Sequence, residues 1–200
     1  AMGLRDYFAK TGFQKAVIGI SGGLDSAVIA TIASQVLGPE NILGLLMPGP
    51  YSSKESITDA QALCKNLGIA SRVYPINDLF NAGTYLLSAT AKPLNDLAEE
   101  NMQSRLRGLV LMTIANRENR LSIVTSNKSE LSVGYSTLYG DSCGAVAPIG
   151  DLYKTQVYQL AAWLNRDSEI IPQTIINKAP SAELRPNQTD EATLGSYDDL

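Results

Sequence analysis

The stretch VIGISGGLDS, Val17 to Ser26, is an apolar run that breaks into Ser-Gly-Gly and resumes as Leu24-Asp25-Ser26. It reads as a buried strand ending at Ile20, a tight glycine turn, and a helix that starts near Leu24. That order opens a βα unit, and the same alternation continues outward from it. Strands are expected at 16–20 (AVIGI), 42–47 (ILGLLM), 71–76 (SRVYPI) and 121–126 (LSIVTS), with helices near 24–37, 53–67 and 93–118. Each strand run is short and continuous, as expected of a strand covered on both faces. The expected fold class is therefore α/β, a doubly wound, Rossmann-like parallel sheet with helices on both faces. In the 53–67 helix Ser53 is the cap, Gly68 the stop, and Ile57, Ala60, Leu63, Cys64 and Leu67 one apolar face.

The chain has 200 residues with 44% hydrophobic content, enough for one core, so 1–200 is read as a single domain. Between Asn81 and Asn95 it turns small and polar, which reads as loop. The long helix that follows reads as exposed in its first half and buried after Arg107. Beyond Trp163 the periodicity fades and Pro172, Pro180 and Pro186 interrupt it, so 172–200 is read as a loop-like tail able to move. A net charge of −4, from 16 basic and 20 acidic residues, gives no general attraction to nucleic acid or a membrane surface. No run approaches the roughly 18 to 20 apolar residues of a membrane helix. Two cysteines, Cys64 and Cys143, without metal-ligand spacing fit a reducing compartment, and a cytoplasmic location is expected. Cys143 is read as structural, and Tyr135 and Tyr139 as packing residues. Histidine is absent, which excludes the serine-histidine triad and most zinc sites. Chemistry is left to carboxylates, lysine, backbone amides or a hard metal ion.

The loop after Ile20 places backbone N–H groups and a helix N-terminus around one concavity, an arrangement that binds anions. Gly22 and Gly23 let the backbone approach oxygen atoms, and Ser21 and Ser26 carry hydroxyl donors. Asp25 would repel a polyphosphate, and is explained as a ligand to a Mg²⁺ that bridges the phosphates. A bare Gly-Gly pair after a strand equally fits a plain βα turn, with Asp25 favoured by the helix dipole. The full string SGGLDS resembles the pyrophosphate-binding loop of the N-type ATP pyrophosphatases, whose fold is adenine nucleotide alpha hydrolase-like. The Gly-Lys-Ser/Thr of a Walker A loop is absent from it.

A second segment, TSNKSELSVGYSTLYGD from Thr125 to Asp141, follows the fourth expected strand and so lies at the same carboxyl edge of the sheet. With EENMQSRLRG before it, and GAVAPIGDLYKTQVYQLAAW and INKAPSAELRPNQTDE after it, the sequence resembles NAD synthetase, in particular the synthetase domain of the glutamine-dependent branch. The resemblance implies amidation of deamido-NAD to NAD through an acyl adenylate, with release of AMP and pyrophosphate. It implies ATP as co-substrate, Mg²⁺ as cofactor, and ammonia as nitrogen donor, free or delivered from glutamine by an amidase domain outside these 200 residues.

Residue by residue, the resemblance implies that Gly19, Ile20, Ser21, Gly22, Gly23, Leu24, Asp25 and Ser26 hold ATP together with Thr125, Lys154 and Ser181. Asp25 and Glu130 match the metal ligands, and with Lys154 they make the catalytic set. Asn101, Arg105, Glu130 and Asp141 match the deamido-NAD contacts. The resemblance also implies a homodimer or larger assembly with the dinucleotide at the subunit interface; the apolar stretch 108–115 is one candidate contact. Glu130 read alone is a solvated helix acid, Lys154 the start of a surface helix, and Asn101 and Arg105 an amphipathic surface pairing with Glu99 or Glu100. Leu138 stands where the ammonia-using synthetases tend to carry a lysine, and the family continues past Leu200, so a shortened chain is expected. Rival readings are another acceptor for the same loop, as in GMP synthetase, asparagine synthetase or tRNA-modifying enzymes, or a catalytically incomplete fragment. The acidic charge balance opposes tRNA.

Overall fold

A computed structural model describes residues 1–88 and 97–197. Its strands are β1 (Ala16–Gly19), β2 (Ile42–Leu46), β3 (Ala70–Val73) and β4 (Leu121–Ile123), all parallel, in the order β3-β2-β1-β4. Helix α1 (Met2–Thr11) precedes β1, α2 (Leu24–Leu37) joins β1 to β2, and α3 (Lys54–Leu67) joins β2 to β3. The chain then crosses by α4 (Asn77–Ser88) and α5 (Leu97–Arg117) to the far side of β1, where β4 pairs. After β4 come α6 (Lys128–Ser132), α7 (Lys154–Leu164), α8 (Gln173–Asn177) and α9 (Glu191–Leu194). The strand order reverses between β1 and β4, and in open parallel sheets ligands settle at that reversal, beyond the carboxyl ends of the strands.

Side-chain alternation divides the core into two layers. Ala16, Ile18 and Ile20 of the first strand run join Ile42 and Leu46 under α2, α3 and α7, while Val17, Leu43 and Leu45 face Leu111, Ile114 and Ala115 of α5. Ile18 is wholly buried in the first layer. Ile18→Ala is expected to destabilise the fold by about 3 kcal/mol, read from urea unfolding, because the cavity lies between a strand and a helix that cannot collapse on it.

Three expectations are corrected. β3 lies at the edge of the sheet and is exposed along its whole length; Arg72 forms an ion pair with Glu118. Most of the stretch read as loop after Asn81 that the structure describes is helix α4; residues 89–96 lie outside the described residues. Burial along α5 follows one face rather than one half: Gln103 and Ser104 are buried, whereas Leu109 and Met112 are exposed. The caps at Ser53 and Gly68 stand as expected. Among the described residues no helix is long and apolar enough to cross a membrane.

The chain beyond β4 leaves the sheet and returns to it. Val124 N–H donates to Val146 O (2.9 Å), Ala145 N–H donates to Ser122 O (2.8 Å), and Ile123 pairs with Val146 in parallel. Gly144 makes this closure possible, since a Cβ there would lie 2.6 Å from Val124 Cγ2.

Candidate active site

The loop after β1 is set by its own hydroxyls and by α3. Ile20 N–H donates to Leu45 O (2.8 Å), the last sheet bond before the turn. Ser21 and Ser26 hydroxyls lie 3.1 Å apart, Ser26 Oγ donates to Gly23 O (3.0 Å), and Gly23 N–H donates to Ser21 Oγ (3.1 Å). Gly22 has φ +82°, and a Cβ there would lie 2.8 Å from the Ser56 carbonyl carbon and closer still to its oxygen. Only glycine fits both the conformation and the space. The first amides of α2 lack intrahelical partners, an arrangement that can receive an anion.

Across from it, Asn127 caps α6. Its side chain accepts from Glu130 N–H (3.0 Å), and Glu130 Oε2 accepts from Asn127 N–H (3.2 Å), a capping box written in the sequence as N-K-S-E. The same buried side chain donates through Nδ2 to Asp25 Oδ1 (3.1 Å). The other Asp25 oxygen accepts from Lys154 Nζ, whose residue opens α7 at 3% exposure. Lys154 is therefore a buried group in an ion pair rather than a surface residue. Its ammonium would be deprotonated more easily by burial, but Asp25 and then Glu130 reverse this and raise its pKa above the usual lysine value.

Glu130 is pushed up to about 8, first by burial and then by Asp25, against the pull of Lys154 and the Asn127 amide. Asp190 adds to this repulsion; it is buried and accepts from the hydroxyls of Tyr135 (3.2 Å) and Tyr197 (3.0 Å). Burial and Asp190 together raise both tyrosines. Asp25 and Glu130 thus share one ammonium, with Asp190 repelling Glu130 from beyond it, and this acidic surrounding suits a cation. Among the described residues no three acids, histidines or cysteines are spaced to hold a metal by themselves. Two carboxylates with phosphate oxygens completing the shell is the donor set that Mg²⁺ takes beside nucleotides.

A cavity of about 440 Å³ gathers most of the residues singled out from the sequence. Ile20 to Ser26 form one wall, Thr125 and Glu130 a second, Asn101 and Asp141 a third, and Lys154 and Ser181 reach it from the later chain. Gly19 lines a smaller adjoining cavity of about 150 Å³. Arg105 lines neither; it is exposed and its Nε donates to Leu138 O (3.2 Å). Arg107, two residues on, lines both cavities, its Nε donating to Met47 O (3.0 Å) and its guanidinium lowered to about 10 by burial. The helical period could have separated the two, since residues two apart on a helix face different ways. Asn101 Oδ1 accepts from Thr137 Oγ1 (2.7 Å), and Asp141 Oδ1 accepts from Ser104 Oγ (2.9 Å) and Thr137 N–H (2.8 Å), which ties α5 to the turn at 137–141. Tyr139 is 79% exposed, so it does not pack, and Tyr135 lines the cavity.

This geometry has close relatives. A glutamine-dependent NAD(+) synthetase of Thermotoga maritima is 51% identical over 99% of this chain and 35% of its own length. The chain spans little more than a third of the length of the curated relatives it matches. Among solved structures, an NMN synthetase from Francisella tularensis superposes with a TM-score of 0.89 at 32% identity, over 98% of this chain and 78% of that one. An NH3-dependent NAD synthetase from Campylobacter jejuni superposes at 0.76 and 36% identity, over 87% and 72%. The match to the NAD synthase family itself extends over residues 1–200, and the chain that carries this loop, capped turn and buried lysine belongs to that family.

Proposed function

We propose that this chain carries out the ATP-dependent amidation of deamido-NAD, with ammonia as the nitrogen donor. The observation that supports it most is the meeting of Asp25, Asn127, Glu130 and Lys154 beside the glycine loop, at the reversal point of the sheet. The nicotinate carboxylate attacks the α-phosphorus of ATP, and the bond to the β-phosphate oxygen breaks, so pyrophosphate leaves with the electron pair. Ammonia then attacks the acyl carbon, AMP departs, and nitrogen loses its proton.

In this reading the amides at the start of α2 and the backbone of Gly22 and Gly23 hold the polyphosphate, and Lys154 stabilises the leaving pyrophosphate as a point charge. Asp25 and Glu130 hold Mg²⁺, which supplies charge neutralisation on the phosphates. Asn127 fixes Asp25 and Glu130 in one geometry. Asn101 and Asp141 contact the dinucleotide from the third wall. The single domain, a cytoplasmic setting and a homodimer belong to the same proposal; exposed Leu109 and Met112 on α5 are consistent with the last.

The test is incubation of the chain with ATP, Mg²⁺, ammonium and deamido-NAD, following NAD and AMP. The expected result is equimolar NAD and AMP, with pyrophosphate release that depends on the acceptor. A parallel arm with nicotinate mononucleotide addresses the resemblance in shape to the Francisella NMN synthetase. Turnover of that acceptor alone, or pyrophosphate release with neither, refutes the acceptor assignment.

A further inference from the structure

Residues 178–190 cross over the large cavity as a strap, and they are fastened on both sides of it. On one side Glu183 grips the first turn of α3: Oε2 accepts from Ser53 N–H (3.0 Å), and Oε1 accepts from Ser53 Oγ (3.0 Å) and Ser56 Oγ (2.6 Å). Lys178 Nζ lies 3.6 Å from the same carboxylate and also donates to Ser56 Oγ. On the other side Gln103 Nε2 of α5 donates to Leu184 O (2.9 Å). Within the strap, Ser181 Oγ accepts from Glu183 N–H (3.1 Å) and donates to Gln188 O (2.7 Å). The hydroxyl that the sequence assigns to ATP is thus occupied in shaping the turn that presents Glu183.

Two features single out Glu183 from an ordinary surface acid. Its φ is +50°, a left-handed conformation that strains a residue with a Cβ and persists only where surrounding bonds impose it. Its partner Ser56 is buried and is also the residue whose backbone carbonyl closes on Gly22. Strap and phosphate loop therefore meet at one residue, from opposite sides.

Building on the ATP-binding reading of this cavity, we propose that Glu183 is a positioning residue. Its carboxylate clamps the strap to the first turn of α3, so that closure of the roof and the shape of the loop at Gly22 are set together through Ser56. Burial opposes ionisation of this carboxyl, but the bonds from Ser56 and Ser53 and the charge of Lys178 hold it below the usual carboxylate range, so it stays ionised in the clamp.

The experiment uses the 200-residue chain with Glu183→Ala and Glu183→Gln, reading hydrogen exchange at the Ser53 amide, ATP affinity by calorimetry, and steady-state constants. Ser53 is the cap of α3, so its amide has no intrahelical partner and its protection reports on Glu183 alone. Glu183→Ala is expected to speed Ser53 exchange and weaken ATP binding, each by about tenfold, as for loss of charge-assisted hydrogen bonds. The KM for ATP rises accordingly, while kcat and the KM for deamido-NAD change less than threefold. Glu183→Gln, which keeps an oxygen for the two hydroxyls, falls between. Unchanged ATP affinity and Ser53 exchange in Glu183→Ala overturn the proposal, as does a uniform fall in kcat and both affinities that Glu183→Gln does not relieve. If the unmodified chain makes no NAD, the amidation reading fails while the binding and exchange arms still judge Glu183. If it makes NAD and the variant binds ATP equally well, only the clamp fails.

Discussion

Asp25→Asn is expected to leave the fold standing and to lower pyrophosphate release by about a thousandfold. Asparagine has the same shape, and its carbonyl oxygen can still accept from Asn127 Nδ2. The other position becomes an amide N–H2 that faces Lys154 Nζ, so two donors meet where an ion pair stood. Lys154 keeps only Glu130 as a nearby counter-charge. Glu130 in turn loses one of the causes of its raised pKa, and its value falls back from about 8 towards the ordinary range. Lys154 stays charged and buried with Glu130 as its counter-charge, which limits the cost to the fold, while the site loses one of two carboxylates able to carry a divalent ion beside the phosphates. The check pairs a pyrophosphate-release assay with thermal unfolding. A Tm within a few degrees of the parent corresponds to about 1 kcal/mol for a chain of this size. Release above a tenth of the parent rate, at unchanged Tm, removes Asp25 from the catalytic set.

Gly22→Ala is expected to weaken ATP binding by about a hundredfold, the equivalent of roughly 3 kcal/mol. A methyl group at φ +82° meets left-handed strain of about 1 to 2 kcal/mol, and it overlaps the Ser56 carbonyl, which is backbone and cannot rotate away. The loop must move off α3, and the amides it aims at the phosphates move with it. Gly23→Ala is the control. That residue has φ −98°, open to any side chain, and its new Cβ would lie 3.2 Å from Ser21 Oγ, a hydroxyl that can shift. Its affinity is expected to fall less than tenfold. Calorimetry with ATP distinguishes them, and equal affinities for the two variants would refute the role given to the Ser56 contact.

The parts of the molecule legible from sequence are those whose signals are local. The runs 16–20 and 42–47 are apolar enough to be strands anywhere, and Ser53 and Gly68 bound α3 by chemistry within one turn. The Asp25 and Glu130 segments were found because each carries its own motif. What was not legible depends on distant partners. The run around Val73 reads as a strand, but it lies at an edge, a fact decided by the crossing of α4 and α5 to the other side. Helix α4 hides behind small residues because Gly83 packs against Met102, 3.0 Å from its sulfur to where a Cβ would sit. Nothing near Lys154 announces that it is buried, since its counter-ion lies on α2. The strap at 178–190 has no periodicity to read, and its bonds reach back to Ser53, Ser56 and Gln103.

The chain between Val124 and Ala145 departs from one end of β4 and is tied back to the same rung of the sheet. Everything in that excursion, from Thr125 through Asp141, hangs from a closed base whose two hydrogen bonds involve only backbone atoms. Substitutions inside it are therefore insulated from strand pairing, and drift there changes what the cavity touches without reopening the question of how the sheet forms. The excursion thus carries Asn127 and Glu130 to Asp25 without committing them to strand pairing, while the loop wedged at Gly22 against α3 is frozen by the packing that surrounds it.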